Sequence, residues 1–124
     1  MEQPTKQDIG SIGEQAAVDF LLSNGYAILE RNWRTGNLEV DIIALKDNVL
    51  AFVEVKSRSE NFLVAPQNAV TKTKQRNIIS AAGRFVERYG REEEVRFDII
   101  SVVLRQGNVV DLEHIESAYY PILR

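Results

Sequence analysis

The sequence predicts an α/β, or α+β, layered domain: a β-sheet with helices packed against it, in the order helix, three strands, helix, two strands. Three observations predict it. Two segments carry apolar residues at helical spacing: Ala16, Ala17, Phe20 and Leu21 in the first, and Ile78, Ala81, Ala82, Phe85, Val86 and Tyr89 in the second. Five other segments are rich in Val, Ile, Leu and aromatic residues, as strands are. The breaks between the first three of these are "TGN" and "KDN", both turn chemistry.

The elements follow in order. Ser11 can cap the first helix, and Glu14 stands three residues later, at capping-box spacing. "SNGY" ends that helix, with Gly25 available for a left-handed cap. Strands are expected over 26–34, 38–45 and 49–58, followed by an irregular stretch around "SENFLVAPQN". The second helix begins within 68–71, opens with Lys72, Lys74, Gln75 and Arg76, and ends at Gly90. "VRFDIISVVLR" and "NVVDLEHI" are the last two strands. Nothing repeats and no low-complexity linker divides the chain. One domain is expected over 1–124, with its core over about 10–115 and terminal segments at 1–9 and 116–124.

Composition removes several classes of function. At 44% apolar and 27% charged residues, the chain is an ordinary globular one. No run of apolar residues is long enough to span a bilayer, and "MEQPTKQDIG" has no apolar signal-peptide region, so a cytoplasmic protein without membrane association is expected. The absence of cysteine excludes disulfides, thiolate metal sites and cysteine nucleophiles. The net charge of -3 argues weakly against a nucleic-acid partner, but its distribution is uneven. From 55 to 91, Lys56, Arg58, Lys72, Lys74, Arg76, Arg84, Arg88 and Arg91 stand against Glu60 and Glu87, and from Glu92 onward acids prevail. A basic segment can steer a polyanion locally, although a solvated helix face explains the same charges.

The stretch "LAFVEVKSR" holds the chemistry. It reads as a strand buried on both faces, yet Glu54 and Lys56 share a face with Leu50 and Phe52. If Asp47 and Asn48 form a two-residue turn, Leu45 faces Leu50, Ile43 faces Phe52, Asp41 faces Glu54 and Glu39 faces Lys56. Two carboxylates opposite each other repel. Protonation, a neighbouring cation such as Lys56, or a divalent ion would compensate, and hard carboxylate oxygens suit Mg²⁺ or Mn²⁺. Glu14 shares the apolar face of the first helix and could supply a third acid if it does not cap that helix.

Asp41, twelve intervening residues and "EVK" at 54–56 resemble the PD-(D/E)XK nuclease signature, with Val40 where the motif has proline. "GSIGEQAAVDFLLSNGYAILERNWRTGNLEVDIIAL", "LAFVEVKSR", "AVTKTKQRNIISAA" and "VRFDIISVV" together resemble the YraN family, small bacterial proteins similar to archaeal Holliday-junction resolvases. The likeness covers roughly 10–104. It implies a restriction-endonuclease-like fold with a central mixed sheet flanked by helices, order αβββαββ. It implies that Asp41 and Glu54 bind metal, that Lys56 is the catalytic lysine, and that Glu14 is an acid near the metal. Glu39 matches the family's "GEID" glutamate, with Leu38 in place of the glycine, and Gln75 matches a helix glutamine of related nucleases.

The expected function is therefore a Mg²⁺- or Mn²⁺-dependent nuclease acting on DNA, selective for structure such as branches or junctions. Arg34, Arg58, Lys72, Lys74 and Arg76 would hold the backbone. The alternatives are a non-catalytic nucleic-acid-binding module of the same fold, a subunit needing a protein partner, or a structural hairpin in which Glu39 simply pairs with Lys56. A homodimer follows by analogy with junction-cleaving relatives only. His114 is read as structural or surface, Trp33 and Tyr26 as packing residues, and Tyr119 and Tyr120 as anchors of a C-terminal segment on the sheet or a partner subunit.

Overall fold

The computed structural model describes residues 5–60 and 70–121. The elements are α1 (Lys6–Ser23), β1 (Ala27–Thr35), β2 (Leu38–Lys46), β3 (Val49–Ser59), α2 (Lys72–Tyr89), β4 (Glu94–Arg105) and β5 (Asn108–Ile115). This is the expected order. The five strands form one mixed sheet, β1-β2-β3-β4-β5, in which only β3 and β4 run parallel. A parallel pair needs a crossover, and α2 lies on it. Most of the irregular stretch expected after β3 falls outside the described residues.

The two helices cover opposite faces of the sheet. Ala17, Val18 and Leu21 of α1 pack on Ile42, Ala44, Ala51, Val53, Ile100 and Val102. Ile78, Ala81, Ala82 and Phe85 of α2 pack on Ile43, Leu50, Phe52, Phe97 and Ile99. Strand β3 is thus buried on both sides, and a polar residue in it is desolvated whichever way it points. Trp33 sits in the α2-side core, edge-on to Phe85 at 5.2 Å between centroids, and Tyr26 is buried on the α1 side. Among the described residues no helix is long and apolar enough to cross a membrane.

One helix start differs from the expectation. The cap of α1 is Thr5, not Ser11: Thr5 Oγ1 accepts from the Asp8 N–H, and Asp8 Oδ2 accepts from the Thr5 N–H, both at 3.1 Å. Ile9 and Ile12 extend the apolar stripe toward the N-terminus and pack on the core, which favours the earlier start. Ser11 is consequently inside the helix, and Glu14 is released from capping. The second helix starts as expected, with Thr71 as cap and Gly90 left-handed (φ 59°) at its end.

Strand β4 carries a buried charge that the sequence reading passed over. Asp98 is 0% exposed. It accepts from Arg96 through Nε and Nη2 (2.8–3.1 Å) and from the Ser117 N–H at 3.1 Å, and lies 2.8 Å from His114 Nε2. Burial alone would raise its pKa, but His114, Arg96 and the Ser117 N–H together hold it below the ordinary carboxylate range. His114 is therefore structural, tying β5 to β4.

Candidate active site

The β2–β3 hairpin builds the site. Asp47 (φ 48°) and Asn48 (φ 63°) are both left-handed, as the two-residue turn requires. That turn fixes the register from Lys46↔Val49 through Leu45↔Leu50 and Ile43↔Phe52 to Ile42↔Val53, where the paired residues end. Beyond that point Asp41 Oδ2 accepts from the Val55 N–H at 2.8 Å, so a carboxylate replaces a backbone acceptor. Glu39 does not meet Lys56. It is paired in register with Arg34 of β1 and bonded to it at 2.6 Å, which corrects the expected Glu39–Lys56 pairing.

The physical reason is a break in strand alternation. Val40 and Ile43 both lie in the α2-side core, while Ile42 lies on the α1 side. The same break occurs on β1, where Arg31 reaches Glu14 on α1 but Trp33 enters the α2-side core. Asn32, between them, has φ 51°. Asp41 is its counterpart between Val40 and Ile42, and at that crossover its carboxylate turns to the Val55 N–H instead of following the pleat.

Strand β3 continues beside β4, with Glu54↔Ile99 and Lys56↔Ser101, and Glu54 is only 4% exposed. Lys74 Nζ approaches Glu54 Oε1 at 3.6 Å, whereas the buried Glu54 Oε2 has no hydrogen-bond partner among the described residues. Burial pushes Glu54 up to about 7, the charge of Asp41 adds to the rise, and Lys74 and Lys56 oppose it. Asp41 is also raised, first by burial and then by Glu39 and Glu14, against the Val55 N–H and Lys74. The two acids therefore come together, although the strands bearing them have stopped pairing.

On the α1 side a cleft of about 750 Å³ is lined by Glu14 and Ser11 of α1, Asp41 of β2, and Lys56, Ser57 and Arg58 of β3. Glu14 Oε1 is held by Asn32 Nδ2 at 2.9 Å and Arg31 Nε at 3.3 Å. Helix α1 sits tightly on the strand here. A Cβ at Gly13 would lie 1.6 Å from Ser57 Oγ, so glycine is required for this approach. The buried Ser57 hydroxyl has no hydrogen-bond partner among the described residues. Ser11 was expected as a helix cap and not in a cleft, and Ser57 was not singled out; the alternation of Lys56, Ser57 and Arg58 gives a signal only once the cleft is known.

The expected DNA-binding residues do not form one row. Arg58 lines this cleft, and Lys74 neutralises Glu54. Arg34 is engaged with Glu39 at the far end of β2. Lys72, Gln75 and Arg76 line a second cleft, between α2 and the segment after β5. Among the described residues, no group of three or more His, Cys, Asp or Glu side chains is placed to hold a metal ion. The site offers a pair of acids, not a triad.

The raised pKa of Glu54 gives a prediction. The folded protein holds a proton that the unfolded chain releases. The stabilisation from this group is complete below about pH 4.5 and is lost as pH rises through about 7. Glu54→Gln removes the titration. In EDTA it is expected to stabilise the protein by about 1–3 kcal/mol at pH 8 relative to its effect at pH 5. Urea unfolding at both values checks this, and an equal effect at the two would contradict it.

A mixed five-stranded sheet with a helix on each face, and an acid pair with a lysine where its central hairpin opens, defines a class of small α/β proteins built around one polar strand end. Residues 13–102 match the uncharacterised protein family UPF0102, and the chain belongs to that family, which is also the YraN family it resembles in sequence. A UPF0102 protein of Bacteroides fragilis is 46% identical over 115 residues, covering 93% of this chain and 94% of the relative. Another from Bacteroides thetaiotaomicron is 42% identical over 116 residues, with 94% and 95% covered. A third from Trichlorobacter lovleyi is 43% identical over 115 residues, with 91% of each covered.

Proposed function

We propose that the protein is a divalent-metal-dependent nuclease that hydrolyses phosphodiester bonds in DNA in the cytoplasm and selects its substrate by structure, such as a branch or junction. One observation carries the reading: half-buried Asp41 and buried Glu54 form a pair of mutually repelling carboxyls beside Lys56, with one Glu54 oxygen unpartnered among the described residues. A fold gains nothing in stability from such a pair.

The residues fit Mg²⁺ or Mn²⁺. Even with Lys74 and Lys56 nearby, burial holds both carboxyls above their ordinary range, and their donors are hard oxygens. These ions are commonly held by one or two carboxylates, with water and substrate phosphate completing the shell. Asp41 and Glu54 would be the ligands. Glu14 is engaged with Arg31 and Asn32, and Glu39 with Arg34, so these two acids act on the pair through their charge. When bound, the ion would activate water and offset charge on the phosphate.

The chain's own groups supply the rest. Lys56 lines the cleft beside Asp41, where its ammonium would stabilise the charge that builds as a water oxygen bonds to phosphorus and one ester P–O bond breaks. The departing sugar oxygen takes up a proton. Arg58 on the same cleft would hold the neighbouring backbone. Lys74 shields Glu54. Cutting both strands of a branched DNA calls for two such sites, and a homodimer belongs to the same proposal.

Titration calorimetry with Mn²⁺ tests the ligand assignment. Wild-type protein is expected to bind the ion, and Asp41→Ala to weaken binding at least about tenfold. Equal affinity in the two proteins would remove Asp41 from the site.

A further inference from the structure

The second cleft, of about 730 Å³, lies between the first turns of α2 and residues 119–121. Its walls include Lys72, Gln75, Arg76, Ile79, Tyr119 and Tyr120. Its size is that of a small-molecule or nucleotide site. We propose that it binds an unpaired nucleotide of the DNA substrate, so that the enzyme acts on DNA carrying a single-stranded nucleotide beside the scissile phosphate. The inference rests on the nuclease reading of the adjoining site.

Four observations support it. Tyr120 is 72% exposed, the most exposed of the large hydrophobic side chains among the described residues, and offers a ring face to an unstacked base. It was expected to anchor a C-terminal segment on the sheet or on a partner subunit, and it does not pack on the sheet. Tyr119 does pack, stacked on Phe97 at 5.5 Å between centroids and 8% exposed, yet its buried hydroxyl has no hydrogen-bond partner among the described residues. Burial, together with the charges of Glu54 and Asp98, keeps that hydroxyl protonated, so it is a donor in need of an acceptor, and the ring carbonyls of nucleobases are acceptors. Lys72 and Arg76 add two cations for phosphate, and Gln75, whose Nε2 is taken by the Val70 carbonyl at 3.1 Å, keeps its amide oxygen as an acceptor.

The cleft and Glu54 share helix α2 as a neighbour. Lys74, which approaches Glu54 at 3.6 Å, lies between Lys72 and Arg76 on the same helix. A base in duplex is stacked on both faces and paired along its edge, so only an unpaired nucleotide can present a face to Tyr120 and an edge to Tyr119. A peptide would match the tyrosines and the apolar Ile79, but it gives less reason for two cations beside a nuclease centre.

The test is binding in EDTA, by fluorescence anisotropy, of a labelled duplex with a short single-stranded overhang and of the same duplex blunt. Wild-type protein is expected to prefer the overhang. Tyr120→Ala is expected to weaken overhang binding about five- to hundredfold and blunt binding by less than about twofold. Tyr119→Phe, which keeps the stack and removes the donor, should lose several-fold on the overhang only. Arg76→Ala should lower the slope of log affinity against log salt on the overhang by about 0.7. Equal wild-type affinity for the two DNAs, or a Tyr120→Ala effect equal on both, would overturn the nucleotide site while leaving DNA binding intact. DNA binding with overhang preference but no response to Tyr120→Ala would also overturn it and leave a protein segment as the occupant. Failure to bind either DNA would overturn the nuclease reading and this inference with it.

Discussion

Lys56→Ala is expected to lower the rate of DNA cleavage by about 10²–10³-fold while leaving Mn²⁺ binding in place. The effect follows from position. Lys56 is two residues beyond Glu54 on β3, beside Asp41 in the wall of the cleft. Its charge also lowers the pKa of Glu54, but less than Lys74 does. Its removal therefore leaves the acid pair with its stronger cationic neighbour. The loss should fall on kcat, because the ammonium meets the greatest negative charge in the transition state and less in the bound substrate. Single-turnover cleavage alongside calorimetry separates the two effects. Loss of Mn²⁺ binding in Lys56→Ala would show that the lysine is needed to assemble the acid pair instead.

Asp98→Ala is expected to cost about 3–5 kcal/mol of stability, a large part of the total that a domain of this size has. The carboxylate is fully buried and collects Arg96, His114 and the Ser117 N–H from three places in the chain. Removing it leaves the half-buried Arg96 guanidinium with only Tyr26 and Glu116, and takes the acceptor from the Ser117 N–H. Asp98→Asn keeps one acceptor oxygen and should cost less. Because the Asp98 pKa is depressed, its contribution is present above about pH 4 and is lost as pH falls through the lower folded-state value. Urea unfolding at pH 7 and under acid checks both statements. A loss below about 1 kcal/mol at pH 7 would mean that Arg96 and His114 find other partners.

Much of this structure is legible locally. "DN" between two apolar runs fixes the hairpin turn, and the turn fixes the register that brings Asp41 toward Glu54. Thr71 and Gly90 bound the second helix by ordinary capping chemistry. Other features depend on non-local choices. Thr5 with Asp8 and Ser11 with Glu14 have equally good capping spacing, and the contacts of Ile9 and Ile12 with a distant sheet decide between them. Strand alternation predicted that Glu39 and Lys56 would meet, but the left-handed Asn32 turns that end of the sheet over, and Arg34 takes Glu39. Lys74 reads as one more cation in a basic helix until the fold sets it against Glu54. Arg96 stands two residues from Asp98 on β4, but His114 and the Ser117 N–H come from β5 and beyond, so no short stretch announces the full set.

The central claim is that Asp41, Glu54 and Lys56 hydrolyse DNA. The most direct measurement is cleavage of labelled single-stranded, duplex, flap and four-way-junction DNA with Mg²⁺ and with Mn²⁺, using Glu54→Ala as control. Metal-dependent cleavage of at least one branched or overhanging substrate, abolished in Glu54→Ala, is the result expected. Cleavage of none of them by a folded wild-type protein that binds the same DNAs would contradict the claim and make the protein a binding module, or a subunit that needs a partner.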